Sequence, residues 1–169
     1  MSNLDNIIFI STPTPAPMSF AQQQATLLAA LEPQRLVRQN AGLSYPFVAA
    51  VPAVMAPDGV TVITPAVPAV VGTIQTRDQT QYPDILNITG ETIAASILVG
   101  QGETNYLIYF RDQENVTHPM TPPQVLAMGM AVSSFISTTY AAKWIIQAQI
   151  NALTPQTIDS FDITQGWPA

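Results

Sequence analysis

Proline decides where this chain can be regular. Of fifteen prolines, ten fall at or before Pro83, none lies between Asp84 and His118, and none interrupts the stretch from Gln124 to Thr154. Each proline fixes φ and deletes a backbone donor, so a dense run excludes helix interiors and central strands. The early residues are thereby limited to extended segments, edge strands and short helices, whereas the later ones are free to build a ladder and a long helix. A length of 169 residues accommodates one ordinary domain or a smaller one with a long appendage. The asymmetry favours the second: residues 1–80 as an extended attachment arm, residues 81–169 as a compact unit.

Charge sharpens the division. Only 9% of residues are charged, against roughly a quarter in an average soluble domain, while 47% are hydrophobic. Asp58 is the sole charged residue between Arg38 and Arg77, and Lys143 the sole permanently charged one between Glu114 and Asp159. So neutral a surface does little to keep copies apart, and it predicts a homo-oligomer or burial between subunits. The net charge of −6 is made of scattered carboxylates, and five basic residues form no patch able to neutralise a run of phosphates, so nucleic acid is not an expected partner. The absence of cysteine excludes disulfides and thiolate metal sites. Residues 1–10 have no basic start and only four consecutive apolar residues, Ile7 to Ile10, so no secretory signal is expected. Membrane insertion is not expected either, because Ser133, Ser134, Ser137, Lys143, Gln147 and Gln149 interrupt the long C-terminal helix.

The predicted order runs as follows. A short strand at 5–11 leads into Thr12-Pro-Thr-Pro-Ala-Pro17, an extended spacer. Ser19 caps a helix to about Glu32, which Pro33 should end. Between Leu43 and Thr76 the motif Val51-Pro-Ala-Val54 recurs as Val67-Pro-Ala-Val70 around Pro57-Asp58-Gly59, a turn in which Pro sets φ, Asp caps and Gly accepts a positive φ. A loose hairpin results, and prolines 52, 57, 65 and 68 confine its strands to edges or to pairing with another chain. Disordered segments are usually charged and poor in aliphatics, the opposite of this one. Tyr82 to Ile88 reads as an extended lead-in, and Glu91 to Val99 as a β-branched strand paired with Asn105 to Phe110. Both faces of that second strand are apolar, so both should be covered. A turn at 113–115 and a return strand at 116–120 follow.

A helix over about 122–151 is the strongest secondary-structure signal. Val125, Met128, Val132, Phe135, Thr139, Ile146, Ile150 and Leu153 recur at spacings near three and four, with Thr121 as N-cap and prolines where the first turn has no donor to lose. At roughly 40 Å it exceeds what a short hairpin can cover, so part of its stripe should meet another chain. A short helix after Thr154 and a docked Trp167 close the sequence. The fold class is α+β: an extended proline-rich arm with one short helix, then a small ββα unit ending in a long amphipathic helix.

Chemistry-bearing residues are few. His118 shares strand parity with Asp112 and Glu114, but the intervening turn breaks it, which favours a histidine packed at the mouth of the hairpin over a base or ligand. Residues 112–115 lack the ligand pattern of a calcium loop, and the sequons at Asn87 and Asn115 are assigned no function. Serines 133, 134 and 137 suit close helix packing. Tyr106, Tyr109, Phe110, Phe135, Tyr140 and Trp144 could form a sugar platform, though their spacing fits core faces better. No nucleophile motif, phosphate loop or carboxylate pair on a recognisable framework is present, so neither an enzyme nor a cofactor or metal is expected.

A strand ending in Phe110-Arg-Asp112, a turn holding Asn115, the phrase Met120-Thr-Pro-Pro-Gln-Val-Leu-Ala-Met-Gly129, and a Trp144 helix followed by Thr154-Pro155 resemble the DUF4376 domain of bacteriophage tail and tail-fibre proteins, over about residues 104–163. The resemblance implies association with a virion and carries over no catalytic residue. The expectation is therefore a virion structural protein of the tail (small fibre, fibre adaptor or baseplate-peripheral component), made in the host cytoplasm. Its expected partners are other phage structural proteins and copies of itself. The expected interface is Val51, Val54, Val62, Val67 and Val70 on the arm, with Phe135, Tyr140 and Trp144 on the helix. A module binding a host-surface receptor and a fibre-assembly chaperone are the competing expectations.

Overall fold

A computed structural model describes residues 16–79 and 82–168; the strand expected at 5–11, and most of the proline spacer after it, lie outside them. The architecture is α+β, with three helices and four small antiparallel two-stranded sheets among the described residues. In chain order the elements are α1 (Phe20–Asn40), β1 (Leu43–Val48), β2 (Val54–Met55), β3 (Val62–Thr64), β4 (Val70–Ile74), β5 (Asp78–Gln79), β6 (Tyr82–Pro83), α2 (Asp84–Gly100), β7 (Ile108–Arg111), β8 (Thr117–Met120) and α3 (Pro122–Asn151). A 3-10 turn, Ile158–Ser160, stands where a short helix was expected.

The long helix α3 organises everything else. It begins on a reciprocal cap between Thr121 and Gln124, with prolines in the first turn. Val125, Met128 and Val132 on its first half enter one core with Phe47, Ile74, Ile88, Ala95, Phe110 and Met120. Ile146 and Ile150 on its second half enter another with Leu31, flanked by Leu27, Leu28, Leu153, Phe161, Ile163 and Trp167. By length and composition α3 is apolar enough to cross a membrane; a third of its most apolar window is buried, and it packs on α1 and α2. The stripe expected to need a second chain is therefore covered by its own: α1 lies along the second half, and the C-terminal segment folds back beside it. Trp167 donates its indole N–H to the Ile163 carbonyl at 2.8 Å, which satisfies the one polar atom of a docked ring.

Two expectations about helices fail for a common reason, that tertiary contacts override local propensity. Pro33 does not end α1, which continues to Asn40. The turns beyond the proline are held by Arg35, whose guanidinium pairs with Glu32, bonds Gln39 and lies 4.2 Å over the Tyr140 ring. Gln39 then donates to the Thr76 carbonyl at 3.1 Å, and the Thr76 hydroxyl donates back to the Gln39 carbonyl. The expected strand at Glu91 to Val99 is instead part of α2. Its threonines answer the β-branched argument: Thr89 and Thr92 donate to the carbonyls of Ile85 and Ile88, one turn back, which a helix permits. Ile88 and Ala95, seven apart, then face α3, where Gly129 lets the helices close, since a Cβ there would overlap the Thr92 side chain.

With α2 a helix, β7 pairs among the described residues with β8 alone, in the register Ile108↔Met120 to Arg111↔Thr117. One face of this hairpin is covered rather than both. Phe110 is buried and Ile108 half-buried, while Tyr109 remains 67% exposed.

Candidate assembly surface

The arm is the hairpin foreseen around Pro57-Asp58-Gly59. At its base β1 pairs with β4, from Leu43↔Ile74 to Val48↔Val70; at mid-length Val51 and Val67 exchange two backbone hydrogen bonds of 2.9 Å; beyond them β2 pairs with β3. At the tip, Asp58 accepts from the amides of Val60 and Thr61, both at 2.9 Å, and from the Thr61 hydroxyl at 2.6 Å. These bonds hold its carboxyl down at about 2, and Gly59 supplies the positive φ of 68°.

The base is joined to the body through the β7–β8 turn. Thr73 donates its amide to Glu114 at 2.9 Å and accepts at its carbonyl from the Gln113 amide at 2.9 Å. Phe47 stacks on the His118 ring, centroids 3.7 Å apart and planes within 4° of parallel. His118 Nε2 lies 2.8 Å from Asp112 Oδ2, and Asp112 also accepts from the Val116 amide at 2.7 Å. Burial alone would raise the Asp112 carboxyl, but the bonds from His118 and Val116 outweigh it and hold it below its ordinary value. A side chain at position 72 would collide with Asp112 and Phe47, so Gly72 lets the hairpin sit this close. Asp112 and His118 thus meet, while Glu114 turns away to Thr73. Among the described residues no group of three or more His, Asp or Glu side chains could hold a metal ion.

Beyond this base nothing in the described chain covers the hairpin. Every Val, Ile and Met from Val48 to Val71 is exposed, by between 42% and 80%. Val51, Val54, Val62, Val67 and Val70 are all in this set. Val48, Met55, Val60, Ile63 and Val71 extend it, and the same uncharged Val-Pro run marked them in the sequence. The helix residues separate: Phe135 is buried in the chain itself at 9% exposure, Tyr140 is half-buried beneath Arg35, and Trp144 is 63% exposed. Phe135 is therefore removed from the expected interface, because the stripe it belongs to is filled intramolecularly. Tyr106 and Tyr109, expected to pack, are exposed: Tyr106 precedes β7 and lines a cleft beside α2, and Tyr109 lies on the strand face opposite the buried Phe110. Of the three serines, Ser133 and Ser137 line a cavity of about 320 Å³ between α2 and α3.

The ribbon's prolines have a consequence for how it can be used. Val51 and Val67 direct their amides at each other, so by strand alternation the next residues, Pro52 and Pro68, direct theirs outward. Both outer edges thereby lose a donor, which blunts strand addition and leaves the valine faces as the accessible apolar surface.

No curated protein and no solved structure matches the chain. A protein family does, described as a domain of unknown function, and the match runs over residues 22–165. It begins some eighty residues before the segment that carried the resemblance in the sequence, and so takes in α1 and the hairpin as well as α2, β7, β8 and α3. With that span matched, the chain belongs to the DUF4376 family.

Proposed function

We propose that the chain is a structural protein of a bacteriophage tail, a small fibre, fibre adaptor or baseplate-peripheral component, and that it works by assembly rather than catalysis. The observation that carries this reading is the hairpin from Val48 to Val71: a shaped, nearly charge-free ribbon whose Val, Ile and Met side chains are all exposed. Contiguous exposed apolar surface of this kind is rare on free-standing soluble proteins and marks a contact surface. Its turn and its base are both fixed by hydrogen bonds, so docking it costs little ordering entropy. Burial of its valine faces between other tail subunits would supply the binding free energy, at about 25 cal/mol per Å² of apolar area. The tail setting is supported by the family resemblance, and a copy of the chain itself is among the subunits the ribbon could meet.

Mass spectrometry of purified particles tests the reading. A structural role predicts the chain at a fixed copy number relative to the major tail proteins. Its absence from finished particles would contradict that role and favour an assembly chaperone. A second reading, a host-surface binding module, is favoured by the exposed rings of Tyr106 and Tyr109. Saturable binding of the isolated protein to host-surface glycans, lost on Tyr109→Ala, would select it.

A further inference from the structure

Glu91 sits where a carboxylate gains nothing from its own chain. It lies on α2 facing β7, and it lines a cleft of about 510 Å³ whose other walls are Ala94, Ile97, Leu98, Tyr106 and Ile108. Its Oε2 is sealed from solvent and has no hydrogen-bond partner, and Glu91 makes no ion pair among the described residues. Arg111 lines a smaller neighbouring cleft of about 240 Å³ that Glu91 shares, yet the two do not pair. A buried acceptor without a donor costs free energy, and native chains seldom leave one without a use.

We propose that this cleft receives a lysine or arginine side chain from a partner polypeptide. The aliphatic stem would lie along Ile97 and Leu98, and the cationic head would meet the Glu91 carboxylate beside the Tyr106 ring. Charge complementarity selects this occupant: the walls are mostly apolar and the charged group among the lining residues is the Glu91 carboxylate, so an apolar or acidic ligand leaves it as it is, whereas a cation on an apolar stem matches both. The net charge of −6 favours approach of a basic partner at longer range. The occupant is a polypeptide rather than a free amine because the cleft's own Ile97 and Tyr106 are exposed, as is Tyr109 in the neighbouring cleft that Glu91 shares, and a small amine would leave them uncovered. The desolvation that pushes the Glu91 carboxyl up from its ordinary value agrees with this placement. This inference stands independently of the hairpin and of the tail assignment.

The test uses the full chain, isotope-labelled and titrated with a blocked Ala-Lys-Ala peptide, the same peptide with norleucine in place of lysine, and butylammonium. The expected result is saturable amide shifts at Ala94, Ile97 and Leu98 with the lysine peptide, and binding weaker by about fivefold or more for the norleucine peptide, for butylammonium and for the Glu91→Gln variant. Equal binding of the norleucine peptide, unchanged binding by Glu91→Gln, or no saturable shift at all overturns the proposal. Butylammonium binding as tightly as the lysine peptide overturns the choice of a polypeptide. Glu91→Leu provides a readout that needs no ligand: its thermal midpoint should rise, because the unpaired carboxylate is gone, and a fall would show that Glu91 serves the fold itself.

Discussion

The hairpin from Val48 to Val71 and the helix α3 are made from similar material and meet opposite fates. Both are aliphatic and almost free of charge, each with one charged residue, Asp58 in the hairpin and Lys143 in the helix. In α3 Val125, Met128, Val132, Phe135, Ile146 and Ile150 recur at helical spacing, so they fall on one stripe that α1 and α2 can cover, while Met130, Trp144 and Ile145 lie off it and stay exposed. In the hairpin they fall on both faces of a two-stranded ribbon, and no element of the described chain lies against either face. Apolar composition alone therefore does not say what is buried. Periodicity, and a neighbour placed to use it, decide the matter.

Substitutions can break this contrast, beginning where the largest effect is expected. Ile146→Ala, on the buried stripe of the second half of α3, should cost about 2–5 kcal/mol in chemical denaturation, since it leaves a cavity between α1 and α3. A cost below about 1 kcal/mol would mean that α1 does not cover this stripe. Asp112→Ala should cost about 3 kcal/mol, because it strips a buried partner from His118 and an acceptor from Val116 where hairpin and body join. Pro33→Ala should stabilise by about 1 kcal/mol or more, since α1 already runs through this position and regains a helical donor. Continued helix beyond residue 33 in secondary chemical shifts would accompany it.

Acid gives a smaller, graded effect. Glu32 is held at about 2 by Arg35 and Lys143, and Asp112 is also held low. Folded-state values below the unfolded ones mean that these carboxylates contribute stability above their ordinary values of 4.5 and 3.8. That contribution is lost as pH falls through the folded values, toward about 2 for Glu32. Denaturation midpoints should therefore be flat from pH 7 to about 5 and fall below that. Glu32→Gln should flatten the fall only slightly, because Glu32 is half exposed and its pairs are screened. The smallest effect is expected from Val62→Ser or Val67→Ser, which should change stability by no more than about 0.5 kcal/mol.

Much of this architecture was legible from the residues. α3 was readable to its ends, because a cap, prolines in the first turn and a long stripe agree with one another. The hairpin was readable because Pro57-Asp58-Gly59 determines its turn and the repeated Val-Pro-Ala-Val its symmetry. α2 was not, since Ile, Thr and Val favour strands locally and only packing on α3 through Gly129 reverses that preference. The extension of α1 past Pro33 was also hidden, because Arg35 and Gln39 find Tyr140 and Thr76 far away in sequence. Of the candidate surface, the five valines came from composition. Phe135 looks open in a stripe seen without its covering helix, and Glu91 gives no signal in a segment whose β-branched residues read as a strand.

The contrast between ribbon and helix rests on a separable claim: the hairpin tip contributes little to folding and is needed for assembly. Replacing residues 49–69 by Asn-Gly, which joins the paired Val48 and Val70 through a two-residue turn, isolates it. Incorporation into particles, counted by mass spectrometry beside the denaturation midpoint of the same trimmed chain, is the direct measurement. The account predicts a midpoint close to that of the parent chain with incorporation abolished; normal copy number in the particle would contradict it.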